Sequence, residues 1–364
     1  MAPIFNAAYN FRSMKTEEAL GRIICDEMTG CSLFVALLML VYTAALAVAI
    51  KIGYLLVRHK GSKIWSKLNK LDYLILSLAS LGLVCFAWGV WVEPYWPEVT
   101  TLKLVSHKLK PGSRTVRLVH ISDLHCDDEI RLEKQLPELI AKQKPDAIVF
   151  TGDSINSKKA LGTFRQCMSQ LAQIAPTFVV QGNHDSRTQR RLSLFKGTGV
   201  KELNGTIVPL KIGGAQLTFS GMAVDSEYRL PAVLNKLPAD TYNVFLYHFP
   251  AAILDISQAN YDLFCAGHTH GGQVRLPFYG AIITKSKTGK RFEAGPYKVN
   301  DTWLNVNRGI GMEGGIAPRV RFLTRPEISV IEISPAKDAQ KPGAKPKQSQ
   351  SIVSQKTQLT PTVN

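Results

Sequence analysis

Five of the eight histidines in this 364-residue chain, His125, His184, His248, His268 and His270, stand just past short apolar runs and beside Asp, Asn or Gly. The runs cover residues 116–121, 147–150, 178–180, 244–247 and 263–266. They lead into Asp123 and His125, Asp153, Asn183 and His184, His248, and His268 and His270 respectively. One histidine at a strand end is ordinarily structural; five recurring with carboxylates form a different pattern. Imidazole nitrogen and carboxylate oxygen together suit Mn, Fe, Zn or similar divalent ions, and the lack of paired thiolates argues against a closed structural zinc site. The chemistry that remains is an open, catalytic metal centre. The i, i+2 spacing of Asp123 and His125, and of His268 and His270, lets each pair face one side of an extended segment, with Leu124 turned into the core. Asp153 has two oxygens and could bridge two ions about 3.5–4 Å apart, which clamps the attacking and departing oxygens of a phosphoryl displacement. Gly152, Gly182, Gly267, Gly271 and Gly272 permit tight turns and close approach of the backbone.

Residues so far apart in sequence meet only if a scaffold brings strand ends together. Apolar runs alternate with helical patterns near residues 129–143 and 157–174, which indicates an α/β layered fold. In such folds ligands gather at the carboxyl ends of the strands. Further strands are expected at 99–110, 206–210, 216–220, 303–306 and 328–333, joined by short Gly turns, so two facing sheets are expected rather than one. Residues 336–364 are Lys, Pro, Gln, Ser and Thr with little apolar content, and we expect a disordered basic tail there.

Residues 31–50 and 73–92 carry no charge and each has the length of a membrane-spanning helix. Trp88, Trp91, Tyr95 and Trp96 then fall at an interface position. The expected organisation is an N-terminal segment (1–30), a two-helix transmembrane hairpin (31–92), a catalytic domain (93–335) and the tail. The connecting loop contains Lys51, Arg58, Lys60, Lys63, Lys67 and Lys70 without an acid, which places it in the cytoplasm and the catalytic domain on the extracytoplasmic face. The formal charge is +16, divided as +2 in residues 1–100, +10 in 101–335 and +4 in the tail, so the domain favours anionic partners. No Lys/Arg run is interleaved with aromatics there, which argues against a nuclease. Six scattered cysteines without CxxC spacing exclude a disulfide framework.

The set Asp123-Leu124-His125, Gly152-Asp153, Gly182-Asn183-His184-Asp185, His248 and Gly267-His268-Thr269-His270 resembles the motifs of the calcineurin-like metallophosphoesterases. The continuation to Gln273, with Gly295-Pro296-Tyr297, Asn307-Arg308-Gly309-Ile310-Gly311 and Arg325-Pro326-Glu327, is similar to a membrane-anchored branch of YaeI and YkuE phosphoesterases and the chlamydial-type UDP-2,3-diacylglucosamine hydrolase. The resemblance covers residues 93–333. It implies a β-sandwich of two mixed sheets flanked by helices. It also implies two divalent ions, one taken by Asp123, His125, Asp153 and His270, the other by Asp153, Asn183, His248 and His268. By the same resemblance His184 contacts the phosphate and protonates the leaving oxygen, with Asp185 holding its imidazole. The chain departs from the family at Asn156, where Gly-Asp-x-x-Asp is common. Arg187 and Arg308 are candidate phosphate ligands because a guanidinium matches that geometry, and Cys126 and His120 are expected to be structural. The expected protein is therefore a metal-dependent phosphodiesterase or pyrophosphatase of a bacterial plasma membrane. Its implied substrate is lipid-linked, with UDP-2,3-diacylglucosamine of lipid A synthesis the specific candidate. The alternatives are an extracytoplasmic phosphodiesterase of other lipid or nucleotide substrates and a non-catalytic scaffold of the same fold.

Overall fold

The computed structural model describes residues 3–59, 65–187, 192–229, 233, 237–314, 318–336 and 355–358. It begins with two helices, α1 (Pro3–His59) and α2 (Lys70–Trp91). Both are long and apolar enough to cross a membrane, over Glu27–Arg58 and Lys70–Tyr95, and little of either stretch is buried against protein. Those stretches reach beyond the expected 31–50 and 73–92. The described part of the expected N-terminal segment runs into α1 without a break, because no proline interrupts the chain between Pro3 and His59. The two helices meet where the Tyr42 hydroxyl donates to the Ala79 carbonyl (3.3 Å) and Lys51 pairs with Asp72. A reciprocal cap starts α2: Asn69 Oδ1 accepts from Asp72 N, and the Asp72 carboxylate accepts from Asn69 N, both at 2.9 Å.

The rest is a sandwich. One sheet runs β15 (Gln355–Gln358), β1 (Glu98–Ser106), β14 (Glu327–Pro335), β2 (Val116–Ile121), β3 (Ala147–Phe150), β4 (Thr177–Val179) and β5 (Lys201–Glu202). The other runs β12 (Gly295–Val299), β13 (Thr302–Val306), β9 (Leu263–Ala266), β8 (Tyr242–Leu246), β7 (Ala215–Gly221) and β6 (Ile207–Ile212). Within them β2, β3 and β4 are parallel, as are β7, β8, β9 and β13. All these strands therefore end on one side of the molecule. Alternation decides what lies between the sheets: Val116 and Leu118 of β2 face inward with Val149, Phe178, Leu217, Phe219 and Val244. Val119 and Ile121 point outward instead, against α4 (Leu161–Ile174) through Phe164, Met168 and Leu171. Phe178 and Phe219 stack across the gap with centroids 4.3 Å apart.

Two expectations change. The helix foreseen over 129–143 is the six-residue α3 (Leu136–Ala141), because Pro137 sets its start and Asp127 is taken up in ion pairs with Arg131 and Arg319. The tail foreseen as wholly disordered contributes β15, antiparallel to the open edge of β1. An unpaired strand edge offers a row of backbone donors and acceptors to any extended segment. The remainder of that tail lies outside the described residues. Cys31, Cys85, Cys126, Cys167 and Cys265 are free.

Phe219 is fully buried at the centre of the sandwich. Phe219→Ala is expected to cost about 3–5 kcal/mol, read as a lower midpoint of chemical unfolding with the slope unchanged.

Candidate metal centre

Past the carboxyl ends of β2, β3, β4, β8 and β9 the backbone turns sharply. Asp123, His125, Asp153, His268 and His270 all have positive φ, between 41° and 74°. Non-glycine residues rarely accept this conformation, and its clustering marks a functional site. The loops are packed so closely that glycine is required at two crossings. A Cβ on Gly182 would stand 2.2 Å from Asp153 Oδ1, and one on Gly267 would stand 2.3 Å from Asp123 Oδ2.

Three donor sets converge: Asp123 with His125 and His270, Asp123 with Asp153 and His248, and His125 with Asp153 and His184. Asp153 Oδ2 lies 3.2 Å from His248 Nε2 and 3.5 Å from His125 Nε2, while Asp123 Oδ1 lies 3.3 Å from His270 Nε2. The far nitrogen of three rings is committed to an oxygen acceptor. His125 Nδ1 donates to Asn156 Oδ1 (2.7 Å), His248 Nδ1 to the Thr151 carbonyl (2.8 Å), and His268 Nε2 to the Lys285 carbonyl (3.1 Å). A carbonyl oxygen only accepts, so the proton sits on the outer nitrogen and the inner one keeps its lone pair. Four buried atoms of the cluster have no hydrogen-bonding partner: His125 Nε2, His248 Nε2, His270 Nδ1 and Asn183 Oδ1. Buried polar atoms are normally satisfied. Orphans gathered beside two carboxylates fit divalent cations, and the donor set is the one such ions prefer. Burial most strongly opposes ionisation of Asp123, but the imidazoles of His270, His248 and His125 together hold it below the ordinary carboxylate range.

Several residues sit differently from expectation. Asp185 does not touch the His184 ring. Its carboxylate accepts from the backbone N–H groups of Asp153, Ser154 and Gly182, all at 2.9 Å, and so ties the loop after β3 to the loop after β4. Burial and the neighbouring Asp153 push it up to about 6. The His184 ring instead meets Glu313, whose Oε1 lies 3.2 Å from Nε2 and 3.0 Å from Lys285 Nζ. The hydrogen bond to Glu313 raises the imidazole's pKa against the opposing effect of burial. Glu313 is itself clamped, its N–H donating to Gln273 Oε1 (2.6 Å) and its carbonyl accepting from Gln273 Nε2 (2.7 Å). Arg308 is not available to a phosphate, since its guanidinium is consumed by Glu98 (2.7 Å) and Glu327 (3.0 Å), which fastens β1 and β14 to the site. Arg187 is exposed at the end of the short helix Asn183–Arg187 and forms no ion pair among the described residues. His120 bonds Thr151 Oγ1 (3.0 Å) and Asn305 Nδ2 (2.8 Å) between the sheets, and Cys126 packs in the helix-side core.

Two supports had no signal in the sequence. Arg321 is fully buried and donates to the carbonyls of Arg308, Gly309, Gly311 and Thr324, shaping the loop whose Ile310 and Gly311 N–H groups hold Ser122 and Asp123. Glu27, on the first apolar helix, accepts from Thr284 N–H, Thr284 Oγ1 and Lys285 N–H. The carbonyl of that same Lys285 fixes His268.

A sandwich whose parallel strands deliver Asp, Asn and His to one mouth is the architecture of a metal-dependent hydrolase. The model of the calcineurin-like phosphoesterase family matches residues 116–272. The chain is 31% identical over 261 residues to the uncharacterized metallophosphoesterase YkuE of Bacillus subtilis, covering 68% of this chain and 89% of that one. It is 27% identical over 263 residues to phosphodiesterase YaeI of Escherichia coli, covering 68% and 92% respectively. It is 24% identical over 319 residues to UDP-2,3-diacylglucosamine pyrophosphatase LpxG of Chlamydia trachomatis, covering 71% and 95% respectively. This chain belongs to the calcineurin-like phosphoesterases, metal-dependent hydrolases of phosphoric esters that use two divalent ions.

Asn156→Leu removes the acceptor of His125 Nδ1 and is expected to weaken divalent-cation affinity by about 10–100-fold, measured by calorimetric titration. Glu27→Ala, remote from the donors, is expected to weaken it by about 10-fold through the loosened Lys285 carbonyl.

Proposed function

We propose that this chain is a membrane-anchored phosphohydrolase that cleaves a phosphodiester or pyrophosphate with two divalent cations. Asp123, His125, Asp153 and His270 would hold one, and Asp153, Asn183, His248 and His268 the other, with Asp153 shared. The observation that carries this reading is the convergence of Asp123 and Asp153 with imidazoles from separate loops, together with buried His and Asn atoms there that have no hydrogen-bonding partner. When bound, the ions supply Lewis-acid polarisation of the phosphoryl group and activation of water. His184 delivers a proton to the departing oxygen, and Glu313 orients its ring and keeps Nε2 protonated. Asp185 acts on the loops rather than on the ring, and Arg308 is omitted because its charge is spent within the protein.

Membrane anchoring is supported by two apolar helices that stay largely uncovered by protein, a surface that would be costly in water. A lipid-linked substrate is supported by the chlamydial relative, and by similarity to it UDP-2,3-diacylglucosamine, cleaved at the pyrophosphate to lipid X and UMP, is the specific candidate. The lysine-rich stretch between the spans favours a domain outside the cytoplasm and with it a second reading, a phosphodiesterase of other lipid or nucleotide substrates. Protease treatment of sealed spheroplasts separates the two. Cleavage of the domain from outside removes the UDP-2,3-diacylglucosamine reading, because that donor is made on the inner face, and protection removes the second.

Asp153→Ala is expected to abolish both cation binding and hydrolysis of an aryl phosphodiester, whereas His184→Asn should leave cation stoichiometry intact and slow turnover by about 10²–10⁴-fold. Unchanged turnover in His184→Asn would remove it as the acid. A metal-loaded protein inert towards a panel of lipid and nucleotide phosphodiesters would favour the scaffold reading.

A further inference from the structure

The hairpin of β10 (Arg275–Leu276) and β11 (Gly280–Ala281) has a surface that water does not explain. At its tip Phe278 is completely exposed, with a relative exposure of 111%, and its φ is +64°. A turn in that conformation ordinarily takes Gly or Asn, not a bulky aromatic. Leu323 repeats the anomaly, half exposed at φ +55°. Together with Leu276 and Tyr279 these residues line one cavity of about 400 Å³, whose polar wall is the ion pair of Arg275 and Glu293 at 2.6 Å.

Both rims of this cavity are fastened to the two apolar helices. The Tyr279 hydroxyl lies against α1 at Gly30, where an added Cβ would stand 2.6 Å from it. On the other side Leu323 N–H donates to Glu93 (2.9 Å) just after α2, and Arg321 N–H donates to the Gly89 carbonyl (3.0 Å). Exposed Trp88, Trp91 and Tyr95 stand on the same end of α2. Lys290 covers the Tyr279 ring, Nζ 3.1 Å from its centroid, and Lys285, Lys287 and Arg291 are exposed in the same stretch. Apolar tips framed by aromatics and lysines, level with the ends of two spans, match the chemistry of an anionic bilayer interface.

We propose that Phe278, Tyr279 and Leu323 insert into the interfacial layer of the bilayer that α1 and α2 span, docking the catalytic domain on the lipid surface. The proposal rests on the membrane-anchored reading above. Arg275 connects the docked rim to the metal cradle, its Nη1 donating to the carbonyl of Gly271 (3.1 Å), the residue after His270. A phosphate carried by a lipid would therefore meet the site at the membrane surface.

The test uses the full chain in vesicles of phosphatidylcholine and phosphatidylglycerol with brominated acyl chains. Of the five native tryptophans, Trp88 and Trp91 lie on the second apolar helix, and quenching of their share of the emission reports whether the helices are in the bilayer. Phe278→Trp then adds fluorescence at the hairpin tip, and its full exposure means that the substitution displaces nothing. Quenching of the added emission by about half, as expected for a side chain 5–10 Å below the headgroup boundary, supports the proposal. Leu323→Trp should behave alike. Quenched native emission with unquenched emission from both added tryptophans overturns the docking and leaves the membrane reading standing. Unquenched native emission removes the membrane reading, and the docking with it.

Discussion

Two carboxylates held out of water, Asp123 and Asp153, face a ring of imidazoles, of which His125, His248 and His268 have their outer nitrogens committed elsewhere. Each carboxylate receives one backbone N–H, from His268 and His184 respectively. The remaining oxygen capacity of Asp153 points at the Nε2 lone pairs of His248 and His125, which cannot donate to it. Burying a charge in this way costs several kcal/mol unless further positive charge arrives. The protein therefore folds around a site whose electrostatics are completed by cations. That requirement explains why so many residues around the cluster serve only to keep rings from rotating.

Five cluster residues with positive φ add roughly 1–2 kcal/mol of strain each. The fold offsets this by continuing its ladders past the strands. Asp123 N–H reaches the Gly152 carbonyl (2.9 Å), His125 N–H reaches Asp153 (3.0 Å) and Gly267 N–H reaches His248 (3.1 Å). Asp185 closes the same set of loops from behind. The displacement of Asp185 from the imidazole to the backbone is thus no loss to the site: a carboxylate beside two carboxylates is better spent on three N–H donors than on a ring that Glu313 can reach from the open side.

The strand-end residues were legible because chemistry and periodicity coincide there. Each apolar run of three to six residues leads into its donor, and parallel strands must bring those ends to one mouth. Glu313 was not legible, since it follows Gly311 and Met312 in a loop with no periodic pattern, and only its clamp on Gln273 reveals its position. Arg308 misled for a related reason. A guanidinium beside a glycine-rich turn has the composition of a phosphate ligand, but its partners Glu98 and Glu327 lie on strands of the facing sheet, 210 and 19 residues away. Asn156 was noticed as a departure from the family pattern. Its value lies in having both an acceptor for His125 Nδ1 and donors for the His125 and Met312 carbonyls, which a carboxylate would lack. The strand in the tail was invisible because a polar segment pairs through its backbone, not its side chains.

The junction between helices and domain has its own logic. Only Trp96 and Pro97 separate the turn after α2 from β1, and Arg325 grips both carbonyls while stacking on the Trp96 ring at 4.1 Å. Glu93 and Glu27 then spend their carboxylates on backbone N–H groups of loops 323–324 and 284–285. A flexible tether would raise the local concentration of the domain near a membrane without choosing its orientation. A short, doubly pinned junction does choose it, and the second pin ends on Lys285, the residue whose carbonyl orients His268. The two helices and the site are one mechanical unit, so on the membrane-anchored reading the height of a phosphate above the bilayer becomes part of what the site recognises.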